Sequence, residues 1–363
     1  MKSALHYLAS NSTSSGGFGE GAFDATEKIM NRRIAQDEHM KTTLQENRDR
    51  IGTWSLFHPI NAQDTAAMVA IRAIAEPNKG RLEGTAARVP FDGIMERVEA
   101  PRGVTYETDH VGGIPGVWCR PENARPGEVL LHIHGGWFNW GSAYAFRHLA
   151  GHIAAQAGVQ AFVPGYRLAP EHPFPAAPED VRAAYFGLIE SGFTKIAVTG
   201  DSAGGTLALG LLAFLNASSD SARSAIVGSI VLSPVTDLSL SGGSWTTRAV
   251  ADPYFTRPQV TELVRSYLDG HDAGDPLVSP LYAGLAGLPP IRVHVGNDEV
   301  LLDDSVRFVE RAVAAGVDAR VDVWEGMVHG FLGGVGHLAA SAEALNLIGA
   351  FLAERFAASA VQP

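Results

Sequence analysis

The sequence predicts an α/β fold: a mainly parallel sheet covered by helices on both faces. Three observations carry this. After residue 125, segments with strand character alternate with segments of helical periodicity. The strand segments are near-continuous apolar runs, as burial on both faces requires. One of them, "KIAVTG", runs directly into Gly200-Asp201-Ser202-Ala203-Gly204 and out into an apolar helix.

In chain order the expected elements are "EVLLHIH", a helix over about 143–157, "QAFVPGY", a helix over about 178–191, "KIAVTG" and the helix "GTLALGLLAFL". "SIVLSPV", "IRVHVG" and "ARVDVWEG" continue the strands, and "SAEALNLIGAFLAERF" closes the series as an amphipathic helix. Residues 238–280 interrupt the rhythm with a Gly-Ser stretch, a helix "RPQVTELVRSYL" and the turn-rich "DGHDAGDP". An insertion between two strands at that point can cover the active face.

Upstream, residues 10–22 have the composition of a flexible lead-in. Their "GFGEG" resembles a phosphate-binding fingerprint, but no strand pattern precedes it, so it reads as linker. Apolar residues over 23–50 recur at helical spacing. A second helix begins at Asn61, with Asp64 three residues later as in a capping box, presents Met68, Ile71 and Ile74, and stops at Pro77. The first strand pattern comes only at 104–120, so residues 1–84 are expected to form an extension and helical layer apart from a domain spanning 85–363.

Of 363 residues, 46% are hydrophobic and 18% charged, which describes a globular chain with a sizeable core. The formal net charge of −11, without a Lys/Arg cluster, argues against a nucleic-acid partner. The longest apolar runs fall short of a bilayer-spanning length, so no membrane insertion is expected. Cys119 is the one cysteine and cannot form an internal disulfide, and the N-terminal stretch is too short and interrupted for a secretory leader. The expected compartment is the cytoplasm.

Strand, G-x-S-x-G and helix together make the context of a nucleophile elbow, in which flanking glycines allow the sharp turn that lifts Ser202 above the sheet edge. A serine hydroxyl needs a base, and the base needs an orienting acid; this fold class supplies them in the order serine, acid, histidine. Asp298, at the end of "IRVHVG", is the chosen acid, with Glu299 its main competitor. Asp303 and Asp304 read instead as solvated carboxylates in the first turn of the next helix. His329, in "MVHGF" after a late strand, is the chosen base, ahead of His294 within a strand and His337 beyond a glycine loop.

His132 and His134 alternate on one strand face, and His148 and His152 fall one helical turn apart, but neither pair has an accompanying carboxylate or cysteine, so no metal is expected. The stretch "HGGWFNWGS" from 134 suits the loop that supplies N–H groups to an oxyanion, since Gly135 and Gly136 let the backbone approach a substrate oxygen.

Together "GDSAGG", "HGGW", "YRLAPEHPFPAAPED", "SPVTDLSLSG", "DPLVSPLYAGLAGLPP", "DEVLLDDS" and "VHGF" resemble the bacterial hormone-sensitive-lipase-like carboxylesterases of the α/β-hydrolase superfamily, over roughly residues 85–355. The resemblance implies an eight-stranded α/β-hydrolase sheet with a cap made from the N-terminal helices and the 238–280 insertion. It also implies no metal or organic cofactor, a small-molecule ester substrate, triad roles for Ser202, Asp298 and His329, and oxyanion donors at Gly136, Trp137 and Ala203. Two departures stand out. The family usually has a third glycine where this chain has Trp137, so that ring, with Phe138 and Trp140, is expected to narrow the substrate pocket. The N-terminal extension is longer than in a minimal member and could complete the cap, line the entrance or mediate a homodimer. Amide or lactone hydrolysis, as in the arylformamidases, is the alternative reading, and a non-catalytic binding module a third.

Overall fold

A computed structural model describes residues 53–218 and 221–358. The linker expected at 10–22 and the helix expected at 23–50 lie outside the described residues. Among the described residues nine strands form one sheet: β1 (Ser55–His58), β2 (Val104–Val111), β3 (Ile114–Pro121), β4 (Glu128–Ile133), β5 (Gln160–Pro164), β6 (Lys195–Asp201), β7 (Ile226–Leu232), β8 (Ile291–Gly296) and β9 (Ala319–Trp324). Their order is β1-β9-β8-β7-β6-β4-β5-β3-β2. Every neighbouring pair is parallel except those made by β3, which runs antiparallel to both β2 and β5.

Two details differ from expectation. The 104–120 pattern is a hairpin, β2 and β3, turned at Gly112 and Gly113, both at positive φ. The sheet also has one strand more than the expected eight, because Ser55–His58 pairs with β9. The boundary at residue 84 therefore does not separate an outer layer from the sheet. Only four residues with two apolar side chains make β1, too little pattern to stand out in sequence. What holds the strand is long-range: His58 hydrogen-bonds buried Asp322 on β9 at 2.9 Å and stacks on Trp324 at 3.8 Å.

Helices α1 (Ala62–Ala75), α2 (Arg88–Met95), α3 (Arg147–Ala157), α4 (Ala176–Glu190), α5 (Ala203–Ala217), α6 (Ser244–Thr247), α7 (Arg257–Leu268), α8 (Leu302–Ala314) and α9 (Ala339–Ala358) complete the fold. One face of the sheet is covered by α4, α5 and α8 and the other by α3 and α9, each with its own apolar cluster. The run at 207–215 is interior to α5, ten of whose fifteen residues are buried, with Phe214 on its exposed side. Cys119 is buried too, and burial pushes its thiol up to about 12. No helix among the described residues is long and apolar enough to cross a membrane.

The strand order positions the site. After β4 the chain moves to one side of it to make β5, then crosses to the other side to make β6. The C-terminal end of β4 is thus a topological switch point, the place where open α/β sheets bind ligands. Ile133 pairs with Gly200, so the loop after β4 and the turn after β6 leave the sheet side by side.

The segment 238–280 and the region around α1 come together above that edge. Arg72 of α1 hydrogen-bonds the Ala251 carbonyl, Gly80 N–H donates to Tyr254 O at 2.9 Å, and Gln259 of α7 donates to Leu82 O at 2.7 Å. The cap at Asn61 forms as its sequence foretells, accepting from Asp64 N–H at 2.8 Å. Asp64 also accepts from Ala339 and Ala340 N–H at 2.8 and 2.9 Å, so one buried carboxylate caps the start of α9 and pins α1 to it. Asp64→Ala should therefore lower unfolding stability by about 2 kcal/mol, read as a reduced urea midpoint at unchanged m-value.

Candidate active site

The turn after β6 has the geometry its glycines predict. Ser202 adopts φ 54° and ψ −119°, a conformation costing about 1–3 kcal/mol that surrounding contacts must impose. Its N–H is held by Leu232 O of β7 at 2.7 Å. At Gly204 a Cβ would lie 2.0 Å from Ile133 O, so only glycine lets α5 start this close to β4. The hydroxyl of Ser202 stands at the N-terminus of α5, and the serine is 2% exposed.

Beside it lies the loop after β4. Gly136, Trp137 and Phe138 all have positive φ, 120°, 53° and 61°, an arrangement that turns successive N–H groups toward one side. Four residues, His134, Asn139, Arg88 and Ala169, keep this strained backbone in place. The neutral His134 ring, whose pKa burial depresses to about 4, bonds Gly135 O at 2.8 Å and stacks on Tyr166 at 4.2 Å. Asn139 Nδ2 donates to Trp137 O and to Leu263 O of α7. Arg88 of α2 donates to Asn139 O at 2.9 Å, and Ala169 N–H to Phe138 O at 3.0 Å. The N–H groups of Gly136, Trp137 and Ala203, the three expected oxyanion donors, have no acceptor among the described residues.

His329 lies after β9, as expected, with its side chain 11% exposed. The acid on it is not Asp298. His329 Nδ1 hydrogen-bonds Glu299 Oε2 at 2.7 Å, and the Glu299 side chain is fully buried. The other carboxylate oxygen accepts from Ser233 Oγ at 2.7 Å and Gly296 N–H at 2.5 Å. Asp298 turns the other way, into an ion pair with Arg72 at 2.7 Å. Its backbone N–H is committed to Met327 O, which fixes the turn and leaves the next, longer side chain to reach the imidazole. A signal was present in "NDEVLL": Glu299 leads into an apolar run, whereas Asp298 sits on the polar side of the junction.

The rival acids are also placed. Asp303 accepts from Ser244 N–H at 3.0 Å. Asp304 is not the solvated carboxylate expected: it is buried, accepts from Thr236 and Asp237 N–H, and burial raises its pKa to about 8. The histidines weighed as metal ligands make hydrogen bonds within the protein: His132 Nδ1 with the Thr199 hydroxyl, His148 with Val98 O and His152 with Glu99 O. His294 lies buried beside Trp324, and His337 is exposed, 3.7 Å from Glu99.

No hydrogen bond joins Ser202 Oγ to His329 among the described residues. They share a rim because Ser202 is tied to Leu232, the adjacent Ser233 to Glu299, and Glu299 to His329. A ring cluster closes the circle. Phe255 packs edge-on against His329 at 5.1 Å and against Trp137 at 5.4 Å, and Trp137 meets Trp245 at 6.4 Å. Phe138 and Trp140, also expected at the pocket, are spent on packing: Phe138 stacks on Tyr267 of α7 at 3.8 Å, and Trp140 donates its indole N–H to Gly84 O. Sequence reading missed Phe255 and Trp245, which come from the irregular insertion.

A family model described as "alpha/beta hydrolase fold" matches residues 130–333. An acetyl-hydrolase from Streptomyces hygroscopicus is 37% identical over 221 residues, 60% of this chain and 73% of that protein. An esterase from Acinetobacter venetianus is 33% identical over 261 residues, covering 71% and 85% of the two chains. The crystal structure of an esterase from the bacterial hormone-sensitive lipase family superposes with a TM-score of 0.75 at 36% identity, over 82% of this chain and 99% of that one. The chain belongs to the hormone-sensitive-lipase-like esterases of the α/β-hydrolase superfamily.

Electrostatics at this esterase site are dominated by acids. Burial alone would lower the His329 pKa, but the hydrogen bond and charge of Glu299, helped by Asp201 and Asp252, raise it to about 9. Asp201, beside the elbow, is itself raised to about 6, chiefly by burial, with His329 opposing and Glu299 adding. The His329 ring should thus titrate near pH 9 by NMR, and Glu299→Gln should bring it well down toward the ordinary histidine range.

Proposed function

We propose that this carboxylic ester hydrolase cleaves small to medium esters through a covalent acyl-enzyme on Ser202, with His329 as general base and acid and Glu299 as the residue that orients it. The observation that carries the assignment is the buried 2.7 Å bond between Glu299 and His329 Nδ1, on loops that leave the same end of the sheet as the serine elbow. It fixes the tautomer: Nδ1 carries the hydrogen donated to Glu299, leaving Nε2 free to take the Ser202 proton.

Ser202 Oγ attacks the ester carbonyl carbon as Nε2 removes its proton. The carbonyl oxygen becomes an oxyanion held by the N–H groups of Gly136, Trp137 and Ala203, and the start of α5 adds positive potential. Collapse breaks the carbon–oxygen bond to the alcohol, which leaves with the proton from Nε2. Water, deprotonated by the same nitrogen, then attacks the acyl carbon, releasing the acid and restoring Ser202. Support for ester rather than amide or lactone cleavage comes from relatives named esterase, carboxylesterase and acetyl-hydrolase. The cytoplasm is the compartment we propose, on the single, buried cysteine.

With Glu299 orienting His329, the two neighbouring acids should respond differently to loss of charge. Glu299→Gln should lower kcat about 10²–10⁴-fold, whereas Asp298→Asn should change it less than about threefold, its carboxylate serving Arg72. The reverse ranking in steady-state kinetics would return the role to Asp298. Because only neutral His329 accepts the proton, kcat/KM should rise with pH from 7 and level off near the pKa of about 9.

Trp137 stands where a third glycine would leave space, and its ring packs toward His329 through Phe255. With p-nitrophenyl esters of increasing acyl length, the native protein should favour the short ones and Trp137→Gly should extend activity to longer ones; an unchanged profile would show that this ring does not bound the pocket.

A further inference from the structure

The ring cluster beside His329 contains an unmet polar demand. Trp137 is 1% and Trp245 4% exposed, and the indole Nε1 of each is buried without a hydrogen-bond partner. Other buried indoles here are provided for: Trp140 donates to Gly84 O at 2.8 Å and Trp324 to His294 Nδ1 at 3.3 Å. A buried donor left unpaired costs the desolvation of that group, and among the described residues these two are the buried indoles that stay unpaired, their rings 6.4 Å apart.

Both indoles belong to the site. Trp137 sits in the oxyanion loop, and Phe255 bridges its ring to His329. Trp245 is held by the loop that carries Glu299, because its neighbour Ser244 donates its hydroxyl to Val300 O at 2.5 Å and accepts from Asp303 N–H at 3.2 Å. Asp252 fixes the third ring by accepting from Tyr254, Phe255 and Val300 N–H groups. The donors are therefore mounted on the same rigid supports as the catalytic groups, and phenylalanine at either position would fill a similar space without carrying an N–H.

We infer that Trp137 and Trp245 select esters that carry a second hydrogen-bond-accepting oxygen, an ether or ketone oxygen a few atoms from the scissile carbonyl, which receives their indole N–H groups. The inference rests on the esterase reading above and adds the substrate class. The scissile carbonyl oxygen cannot be the acceptor, since the backbone N–H groups of the oxyanion loop serve it. An alkyl chain of the same shape leaves both donors unpaired, and a site built around donors rejects the analogue that lacks the acceptor.

Two pairs of esters differing only by oxygen in place of a methylene test this. p-Nitrophenyl 3-methoxypropanoate against p-nitrophenyl pentanoate places the oxygen in the acyl part; 2-methoxyethyl acetate against butyl acetate places it in the alcohol part. Each kcat/KM is divided by the hydroxide-catalysed rate of the same ester. In one pair the native protein should favour the ether ester by about tenfold, against the ordinary penalty for taking an ether oxygen into an apolar pocket. Trp245→Phe or Trp137→Phe should bring that ratio to one or below, with turnover of the alkyl partner showing that the variant is folded. A ratio at or below one in both pairs for the native protein, or a preference that survives in both variants, overturns the inference. Hydrolysis of none of the four esters would instead remove the esterase reading, and this inference with it.

Discussion

One buried carboxylate organises the site. Glu299 receives three hydrogen bonds, from Ser233 at the end of β7, from Gly296 at the end of β8 and from His329 after β9. A carboxylate with no solvent exposure is costly unless its lone pairs are met, and these three donors arise on three successive strand ends. The sheet is therefore what satisfies the charge, and the charge is what sets the imidazole. Ser202 joins the same frame through Leu232, the residue before Ser233. Removing the carboxylate would leave an imidazole free to rotate and two donors facing an apolar interior.

The polar contacts above this frame explain why Asp298 looks like the acid in sequence yet has another task. Arg72 of α1 reaches both Asp298 and the Ala251 carbonyl, and Arg248 donates to Asn297 O at 2.7 Å. Lys79 adds contacts to the carbonyls of Ala249 and Asp252. Two adjacent acids at one strand end thus divide the work. Asp298 binds the covering layer through Arg72, and Glu299 binds the imidazole of His329.

Legibility in the sequence followed the range of the interactions. The strands from 128 onward, α7 at its full length, the Asn61 cap and the serine elbow are set by local periodicity, capping and glycine sterics, and each is where the residues predict it. The features that escaped depend on partners far along the chain. β1 exists because His58 meets Asp322, 264 residues away. Asp304 reads as a surface acid in a first helical turn, but the loop at 236–237 lies over it. The choice between Asp298 and Glu299 turns on Arg72 and on the Met327 carbonyl, neither of which a local window contains. Trp137 was legible as a departure, whereas its partners Phe255 and Trp245 come from a segment with too little regular structure to align by pattern.

The acids around His329 set a balance between how strong a base it is and how often it is free to act. Glu299, Asp201 and Asp252 all favour the imidazolium, the form that the proposed attack by Ser202 would produce, so a positive charge on the ring is stabilised in advance. The same field would oppose an oxyanion in the loop after β4, where the countering charge is partial: the N–H groups without an acceptor among the described residues and the start of α5. That division accounts for the strain tolerated at Trp137 and Phe138. A third glycine would relax the backbone, yet the positive φ values are already enforced by Asn139, Ala169 and Arg88, so the loop can carry a bulky ring at no loss of donor geometry. At this position the fold supplies the N–H direction from outside the residue, and that leaves the side chain free to specify what the site accepts.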